Sequence, residues 1–381
     1  MIDNSEFINY VISLGAELGL PCSEPERVHV DNLSGNINRV RRVSLNYDGS
    51  ISRSFVVKHL PEGGKLEKYP TVTFPQSRLK FEAEWIRAFD EIGLGGEVRP
   101  PKLLHHDEEF HTLIFEDLGE KRSFGEELEL GMCNGVENLG HFLGSFHALT
   151  ADREPICNPA AEQNRPFVLT FPLQQPVYIQ QLWKGKLGET CLFDELVGLQ
   201  CWFVHEYSDA LLPELIGLSH AFKASPFRVL THGDLHGESI LVVSEAVLGI
   251  LDSELCDTGS AGFDVGTVIA HIWAHKTAVG EPSRDILKLV HTFFRSYESS
   301  LREHAELDSK TQQRLRAESL QYAGAEILRR TIGAALFPCL AKIQDKRALL
   351  INAKSMLLEP EAFADVLRKH DLDRITSGSS I

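Results

Sequence analysis

The chain has 381 residues, with 38 Lys and Arg residues against 54 Asp and Glu residues, and its formal net charge is −16. This acidic balance excludes a typical nucleic-acid-binding protein, because affinity for the phosphate backbone comes from clustered Lys and Arg. Hydrophobic residues make up 43% and charged residues 24% of the chain, which are ordinary values for a globular protein. The length predicts two domains or one large bilobal unit, since single hydrophobic cores stop growing at about 250–300 residues.

Seven cysteines are scattered along the chain, and none of them belongs to a CxxC pair. This pattern favours reduced thiols over a disulfide framework and indicates a cytoplasmic protein. The N-terminal segment has acids but no basic region before its apolar residues, so we expect no secretory signal. The longest apolar stretch, residues 240–251, is broken by Ser244 and Glu245, so we expect neither a membrane span nor a membrane partner.

The first part of the chain is predicted to be rich in β-strands. A short amphipathic helix is expected over residues 5–19, and a Ser-capped helix over residues 77–91. Gly, Pro and Lys predict a loop over residues 61–75. Apolar or alternating segments predict five strands, the first three forming an antiparallel meander: residues 28–30, 38–47, 52–60, 102–106 and 112–116.

From about residue 125 onward, apolar residues recur at helical spacing. Two strand–loop units, at residues 227–236 and 247–252, interrupt the helical pattern. The fold class is therefore α+β, with a small antiparallel β-rich lobe over residues 1–118, a larger α-rich lobe over residues 119–381 and a cleft between them. The predicted helices, the second of them weak, are residues 136–149, 178–183, 194–209, 283–304 and 309–340.

The segment 231–239, with the sequence THGDLHGES, carries the strongest chemical signal. Phosphoryl transfer from ATP to a hydroxyl needs an acid that orients and deprotonates the hydroxyl, and oxygen ligands that hold Mg²⁺ on the phosphates. Asp234 is the candidate base, and Ser239 stands five residues later, where kinases usually have an Asn metal ligand. Asp252 and Glu254 follow an apolar strand and are the candidate metal acids. Both are expected to face the cleft, because alternate strand residues share a face.

The nucleotide-binding parts of a kinase can be sought in the first lobe. Lys58 ends an apolar strand, where a cation can reach the α- and β-phosphates, and Glu82 on the next helix could hold it by an ion pair. The polar loop 32–38 contains one glycine, which lets backbone N–H groups approach phosphates. A hinge at residues 116–119 would read adenine through its backbone. The nucleotide-side candidates are therefore Lys58, Glu82, Gly35, Asn36, Asn38, Glu116 and Leu118.

Together these motifs resemble the aminoglycoside phosphotransferase and choline kinase superfamily, and within it the 5-methylthioribose kinase family. That family's catalytic loop similarly has HGDLH followed by two residues and Ser, as at residues 232–239 of this chain. Further motifs resemble the family in the same order and spacing, at residues 35–38, 57–58, 70–82, 116–118, 252–254, 262–266 and 323–333.

The resemblance implies a bilobal protein-kinase-like fold and transfer of the γ-phosphate of ATP, with Mg²⁺, to the 1-hydroxyl of methylthioribose in methionine salvage. It implies Asp234 as the catalytic base and Arg329 and Arg330 as residues that hold the sugar and the transferring phosphate. A guanidinium pair can offset the charge of a phosphoryl group as it leaves ADP. The resemblance is also compatible with a homodimer.

Two segments depart from the family pattern and bear on the acceptor. Residues 255–261 read LCDTGSA where the family usually has a Tyr-Gly-Pro run, and Tyr69-Pro70 stands where the family has Trp-Pro. Other hydroxylated acceptors therefore stay open: an amino alcohol, a hydroxytryptamine-like compound or an aminoglycoside. Arg329 and Arg330 favour a neutral sugar over these cations. A catalytically dead nucleotide-binding protein is the alternative of another class, motivated by Ser239 in place of Asn.

Several polar residues near these motifs are expected to be structural. His232 and His236 are not expected to bind zinc, because no further cluster of His, Cys or Asp at ligand spacing follows them. Instead, hydrogen bonds of His232 are expected to shape the loop, and Asp264 is expected to accept backbone N–H groups of that loop. Arg329 and Arg330 are neighbours on a helix and point about 100° apart, which ordinarily leaves at least one of them at the surface. The resemblance nevertheless favours a functional role for the pair.

Overall fold

The computed structural model describes residues 4–15, 18, 25–33, 39–47, 50–60, 75, 77–133, 135–245 and 247–367. The candidate phosphate-loop residues Gly35, Asn36 and Asn38 lie outside the described residues. Tyr69 and Pro70, in the departing loop segment, also lie outside them.

A five-stranded antiparallel sheet dominates the first part of the chain, in the order β1-β2-β3-β6-β5. Its β1, β2 and β3 form the predicted meander, which is thereby confirmed. Alternation creates one apolar face, because Phe55 and Val57 are buried on β3 and pack with Phe7 and Val11 of the first helix. The elements are α1 (Asn4–Ser13), β1 (Val28–Leu33), β2 (Arg39–Tyr47), β3 (Ser50–His59), α2 (Arg78–Ile92), β4 (Val98–Arg99), β5 (Leu103–Asp107) and β6 (Thr112–Glu116).

Helix α2 connects the sheet to the rest of the molecule. Its buried face includes Trp85, whose ring centroid lies 4.8 Å from that of Phe146 in the helical part. The predicted cap is wrong, because Ser77 has helical backbone angles and its side chain makes no capping hydrogen bond. At the other end of the helix, Gly93 is the C-cap, and its positive φ of 64° suits a glycine.

The second part of the chain is mostly helical, which confirms the α+β class with an antiparallel sheet preceding a helical part. Short strand pairs interrupt it: β7 pairs with β10, and β9 pairs with β8 and with β4. The elements are α3 (Phe124–Glu129), α4 (Gly135–Thr150), α5 (Pro159–Gln174), α6 (Pro176–Leu187), α7 (Cys191–Ala224), β7 (Arg228–Thr231), β8 (Ile240–Val242), β9 (Leu248–Ile250), β10 (Asp257–Ser260), α8 (Gly262–Ala278), α9 (Ser283–His304), α10 (Ser309–Ile332) and α11 (Lys346–Leu358).

Several helices differ from the sequence-based expectation. Helix α5, which contains Pro166 and Pro172, is not among the predicted helices. Helix α7 has 34 residues and continues through Pro213, well beyond the predicted end at residue 209. Helix α10 ends at Ile332, before the predicted end at residue 340. Tertiary packing therefore overrides the local breaking signals at all three prolines.

Two other expectations concern cysteines and membranes. The six cysteines in the described ranges are all free, as expected for reduced thiols. None of the helices that the structure describes combines the length and the apolar character that a membrane crossing requires.

Candidate active site

The loop between β7 and β8 is held by hydrogen bonds from buried residues. Asp264, at the start of α8, accepts the backbone N–H of His232 at 2.6 Å and that of Gly233 at 3.0 Å. The His232 ring places Nε2 2.8 Å from the carbonyl oxygen of Leu251 and so donates to it. Gly233 has a φ of +87°, and a Cβ there would lie 1.9 Å from Leu255 O. The structural roles expected for Asp264 and His232 are confirmed, and only glycine fits position 233.

Asp234 extends from this loop toward two arginines and a histidine. Its Oδ1 lies 3.5 Å from Arg330 Nη2 and 3.7 Å from Arg329 Nη2, and its Oδ2 lies 3.7 Å from His236 Nε2. The side chain keeps 33% of its surface exposed. Burial alone would raise the pKa of Asp234, but the charges of His236, Arg330 and Arg329 outweigh it and lower the pKa below its usual value. The carboxylate is therefore ionised and accessible.

Glu326 holds both arginines near Asp234. It accepts from Arg329 Nε at 2.6 Å and from Arg330 Nε at 2.8 Å. Because it lies three and four residues before them on α10, it gathers both side chains although their Cα–Cβ bonds diverge. Their side chains are only 13% and 9% exposed, so neither arginine lies at the surface, although adjacent helix residues point in different directions. Sequence reasoning missed Glu326, for which this spacing was the available signal.

Lys58 lies at the centre of a second charge cluster. Its Nζ lies 2.7 Å from Glu82 Oε2, 2.7 Å from Asp252 Oδ1 and 3.5 Å from Glu254 Oε2. The pair of Lys58 and Glu82 is therefore formed as the sequence predicts. Burial alone would lower the pKa of Lys58, but the charges of Asp252, Glu82 and Glu254 raise it above its usual value. The ammonium group is permanently charged.

Asp252 and Glu254 reach this cluster in different ways. Asp252 follows β9 in a left-handed conformation, with φ 63° and ψ 40°, which is rare for a residue other than glycine. Its carboxylate is 53% exposed, whereas that of Glu254 is 10% exposed and accepts from Arg78 Nη1 at 3.1 Å. The prediction that both acids face the cleft as alternate residues of one strand is wrong, because Glu254 lies in a short 3₁₀ helix, Ser253–Leu255. Sequence reasoning did not include Arg78 among the site residues.

Ser239 is fully buried at the end of the loop between β7 and β8. Its Oγ lies 3.1 Å from the carbonyl oxygen of Asp234 and 2.8 Å from that of His236, so the hydroxyl proton is directed into the loop. Together with the carboxylates of Asp252 and Glu254, the Ser239 hydroxyl belongs to the oxygen donors that Mg²⁺ prefers, and Asp252 is the most accessible of the three.

Glu116 and Leu118, the candidate hinge residues, make contacts on two sides. Glu116 accepts from Arg99 and from the backbone N–H of Lys102 at 2.7 Å. The Leu118 side chain lies directly over Gly249 of β9, where a Cβ would be 2.7 Å from Leu118 Cδ1. The hinge backbone is thus held against the strand that leads to Asp252.

A cavity of about 60 Å³ opens beside Asp234. Its apolar wall includes three aromatic side chains, Phe222, Phe263 and Tyr322, and its polar wall includes Asn164, Arg165, Glu326 and Arg329. Leu255, the first residue of the segment that departs from the family pattern, also lines it. The lining beside Asp234 therefore combines charged, polar and aromatic side chains.

The chain is similar in sequence to known phosphotransferases. Residues 31–307 match the phosphotransferase enzyme family. The chain is 26% identical over 378 residues to the methylthioribose kinase of Pectobacterium atrosepticum, covering 87% of this chain and 88% of that protein. It is 26% identical over 352 residues to the methylthioribose kinase of Yersinia pestis, covering 82% and 80%.

Among solved structures, the choline kinase from Cryptosporidium parvum is similar with a TM-score of 0.50 and 13% identity, covering 97% of each chain. This likeness concerns the fold alone and agrees with the expected bilobal protein-kinase-like architecture. Because the family match spans more than half of the chain, the chain belongs to the phosphotransferase enzyme family.

Proposed function

We propose that the chain is an ATP-dependent kinase that phosphorylates the 1-hydroxyl of methylthioribose. The observation that carries the proposal is the position of the ionised Asp234 carboxylate, on the wall of the cavity and beside Arg329 and Arg330. Relatives named methylthioribose kinase at 26% identity support the choice of acceptor.

Asp234 orients the acceptor hydroxyl and takes its proton as the new P–O bond forms. Hydrogen bonding to a positioned carboxylate aligns the hydroxyl for in-line attack on the γ-phosphate. Arg329 and Arg330 stabilise the charge on the transferring phosphoryl group, since their guanidinium groups flank the carboxylate where that group would pass.

The charges around the cavity favour a neutral acceptor. The carboxylates of Asp234 and Glu326 are balanced by the guanidinium groups of Arg329 and Arg330. The charge of Arg165 is balanced by Asp257, which lies 2.6 Å away. A cationic amino alcohol would therefore meet no surplus of acids. The aromatic wall suits a methylthio group, and the polar wall suits ribose hydroxyls.

On the nucleotide side, Lys58 binds the α- and β-phosphates and Glu82 keeps it in place. Gly35, Asn36 and Asn38 cover the phosphates, and the backbone between Glu116 and Leu118 reads adenine. Asp252 is the principal ligand of Mg²⁺, with Ser239 or Glu254 as the second. When bound, Mg²⁺ supplies positive charge that neutralises the β- and γ-phosphate oxygens.

This proposal divides the chain near residue 118. Residues 1–118 form the nucleotide-binding lobe, and residues 119–381 form the lobe that carries the catalytic loop, the metal ligands and the acceptor cavity. The contact between Lys58 and Asp252 then crosses the cleft between the two lobes. We also propose that the protein acts in the cytoplasm and that its partner there is its small-molecule substrate.

The test is an ADP-release screen with methylthioribose, choline, ethanolamine, homoserine, a hydroxytryptamine and kanamycin. We expect turnover with methylthioribose at a kcat/KM at least tenfold above every amine. Turnover of an amine alone would show that the chain is a kinase but that methylthioribose is not its acceptor. ATP binding without turnover of any acceptor would favour the catalytically dead alternative.

A further inference from the structure

A second cluster of ligand-type side chains lies behind the catalytic loop. Glu238 comes from the loop itself, and His271 and His275 stand one turn apart on α8. One ligand atom from each of the three residues lies within 4.8 Å of the other two. His275 Nε2 and Glu238 Oε1 are 3.5 Å apart, close to the separation of two ligands around one ion at bonds of about 2.0–2.1 Å.

Polar atoms in this cluster lack the partners that buried groups normally have. Both histidine side chains are only 1% exposed. Within the described part of the chain, both ring nitrogens of His271 and Nε2 of His275 are buried without a hydrogen-bond partner. Glu238 Oε2 is also buried and lies 3.2 Å from His236 Nδ1. Several unpaired buried atoms in one place are unusual, because each loses its hydration without compensation. An ion between them would satisfy one nitrogen of each ring and the Glu238 carboxylate.

The surroundings orient the rings for such an ion. His275 Nδ1 lies 2.8 Å from Glu129 Oε1, so the outer nitrogen donates to a carboxylate and Nε2 points inward. His271 Nε2 lies 3.6 Å from Glu326 Oε1. The other nitrogen of His271, Nδ1, faces the catalytic loop. A Cβ added to Gly237 of that loop would lie 3.3 Å from His271 Nδ1.

We propose that Glu238, His271 and His275 form a binding site for a divalent transition-metal ion of the Zn²⁺ class. Two imidazoles and one carboxylate are a ligand set that suits Zn²⁺ and leaves one position open. They do not suit Mg²⁺, which prefers oxygen ligands. The site is separate from the carboxylates assigned to the nucleotide, and it corrects the expectation that no further cluster at ligand spacing follows His236.

The two histidines differ in charge before an ion binds. Burial lowers the pKa of His271 to about 4, so its ring is neutral near pH 7. Burial alone would lower the pKa of His275, but its neighbours Cys339, Glu238 and Glu129 raise it to about 10. Binding of the ion therefore displaces one proton from His275 to solvent.

The ion would tie the catalytic loop to α8. Glu238 immediately precedes Ser239 and stands four residues after Asp234, so its position affects both. The Glu238 side chain is 31% exposed, which gives an ion a path from solvent. A metal bound here acts on catalysis through loop position and touches neither ATP nor the acceptor.

A neighbouring set shares one histidine with this site. Glu129, His275 and Cys339 also bring their ligand atoms within 4.8 Å of one another. In that set the ion would use the opposite nitrogen of His275, which already donates to Glu129. Because this hydrogen bond is already formed, we assign Glu129 as a hydrogen-bond partner of His275 and not as a metal ligand. The Cys339→Ser variant distinguishes the two sets, because Cys339 is a ligand only in the second one.

The test is equilibrium dialysis of the chelator-stripped full chain against ZnCl₂ with excess Mg²⁺, followed by elemental analysis. We expect one Zn²⁺ per chain. Co²⁺ in place of Zn²⁺ should give visible d–d bands without a thiolate charge-transfer band. Absence of stoichiometric Zn²⁺ from the wild-type chain, or a thiolate band with Co²⁺, would overturn the proposal.

Variants locate the ion. His271→Gln should abolish stoichiometric binding, and Glu129→Gln should weaken binding by about 10–100-fold, as loss of an outer partner does. Cys339→Ser and Asp252→Asn should bind Zn²⁺ like the wild type. Thermal unfolding in chelator checks that each variant folds. Retained binding by a folded His271→Gln chain, or lost binding in Cys339→Ser or Asp252→Asn, would contradict the assignment.

Discussion

Lys58 Nζ lies 2.7 Å from Asp252 Oδ1, although the two residues are 194 positions apart in the chain. Through this contact β3 of the sheet meets the turn that follows β9. Asp252 adopts its left-handed conformation at the same point. The strain is located where a carboxylate has to serve both a lysine and, in the proposed reaction, a metal ion.

Replacement of Lys58 by Met should lower both ATP affinity and stability. The Glu82 side chain is 5% exposed and would be left buried without its cation, which costs about 3–5 kcal/mol. Urea unfolding measures the loss. Lys80→Met, at a side chain that is 51% exposed, is the matched control. Adding Glu82→Gln should recover part of the stability, and an unchanged unfolding midpoint in Lys58→Met would refute the role of the pair.

Replacement of Asp234 by Asn should reduce kcat by about 10²–10⁴ with little change in the Kd for ATP, because general-base contributions have this size. Single-turnover kinetics and nucleotide titration separate the two effects. The control is Asp209→Asn on the exposed surface of α7. Near-wild-type kcat in Asp234→Asn would mean that another residue orients the hydroxyl.

Replacement of Arg330 by Gln should move the acid limb of the pH–rate profile to higher pH. Nearby cations lower the pKa of Asp234 below its usual value, so its ionised form persists to more acidic pH. Removing one cation raises that pKa, and the carboxylate is protonated earlier as pH falls. Kcat should also drop, by about 10²–10³, if Arg330 stabilises the transferring phosphoryl group.

Arg330→Lys keeps the charge and is the matched control for this experiment. Its acid limb should stay near that of the wild type even if its kcat falls. Identical acid limbs in Arg330→Gln and the wild type would show that Arg330 does not set the pKa of Asp234.

Replacement of Asp264 by Asn should destabilise the fold and slow turnover without weakening ATP binding. Each carboxylate oxygen accepts one backbone N–H of the catalytic loop, whereas an amide offers a single acceptor and turns a donor toward the other N–H. Loss of one such bond costs about 1.5–3 kcal/mol. Thermal unfolding combined with kcat and nucleotide affinity tests this positioning role. An unchanged kcat with lowered stability would restrict Asp264 to folding alone.

The contiguous parts of the site could be predicted from sequence. Residues 231–239 form one loop with fixed spacing, and Lys58 and Glu82 follow the periodicity of a strand and a helix. The meander and α9 could be predicted for the same reason, and the structure places α9 at the predicted residues.

Parts that depend on packing could not be predicted from sequence. Pro166 and Pro172 argue locally against α5, yet the helix forms and supplies Asn164 and Arg165 to the cavity. The inward position of both arginines depends on Glu326. The cluster at Glu238 needs α8, a helix that the sequence patterns did not predict and whose histidines lie more than 30 positions beyond the loop.

The most direct test of the proposed function is ³¹P NMR of the product formed from ATP and methylthioribose by the wild-type chain, with Asp234→Asn in parallel. We expect a new phosphomonoester signal coupled to the anomeric proton in the wild type and almost none in the variant. A wild-type chain that leaves methylthioribose unphosphorylated, or that places the phosphate on another hydroxyl, would contradict the proposed function.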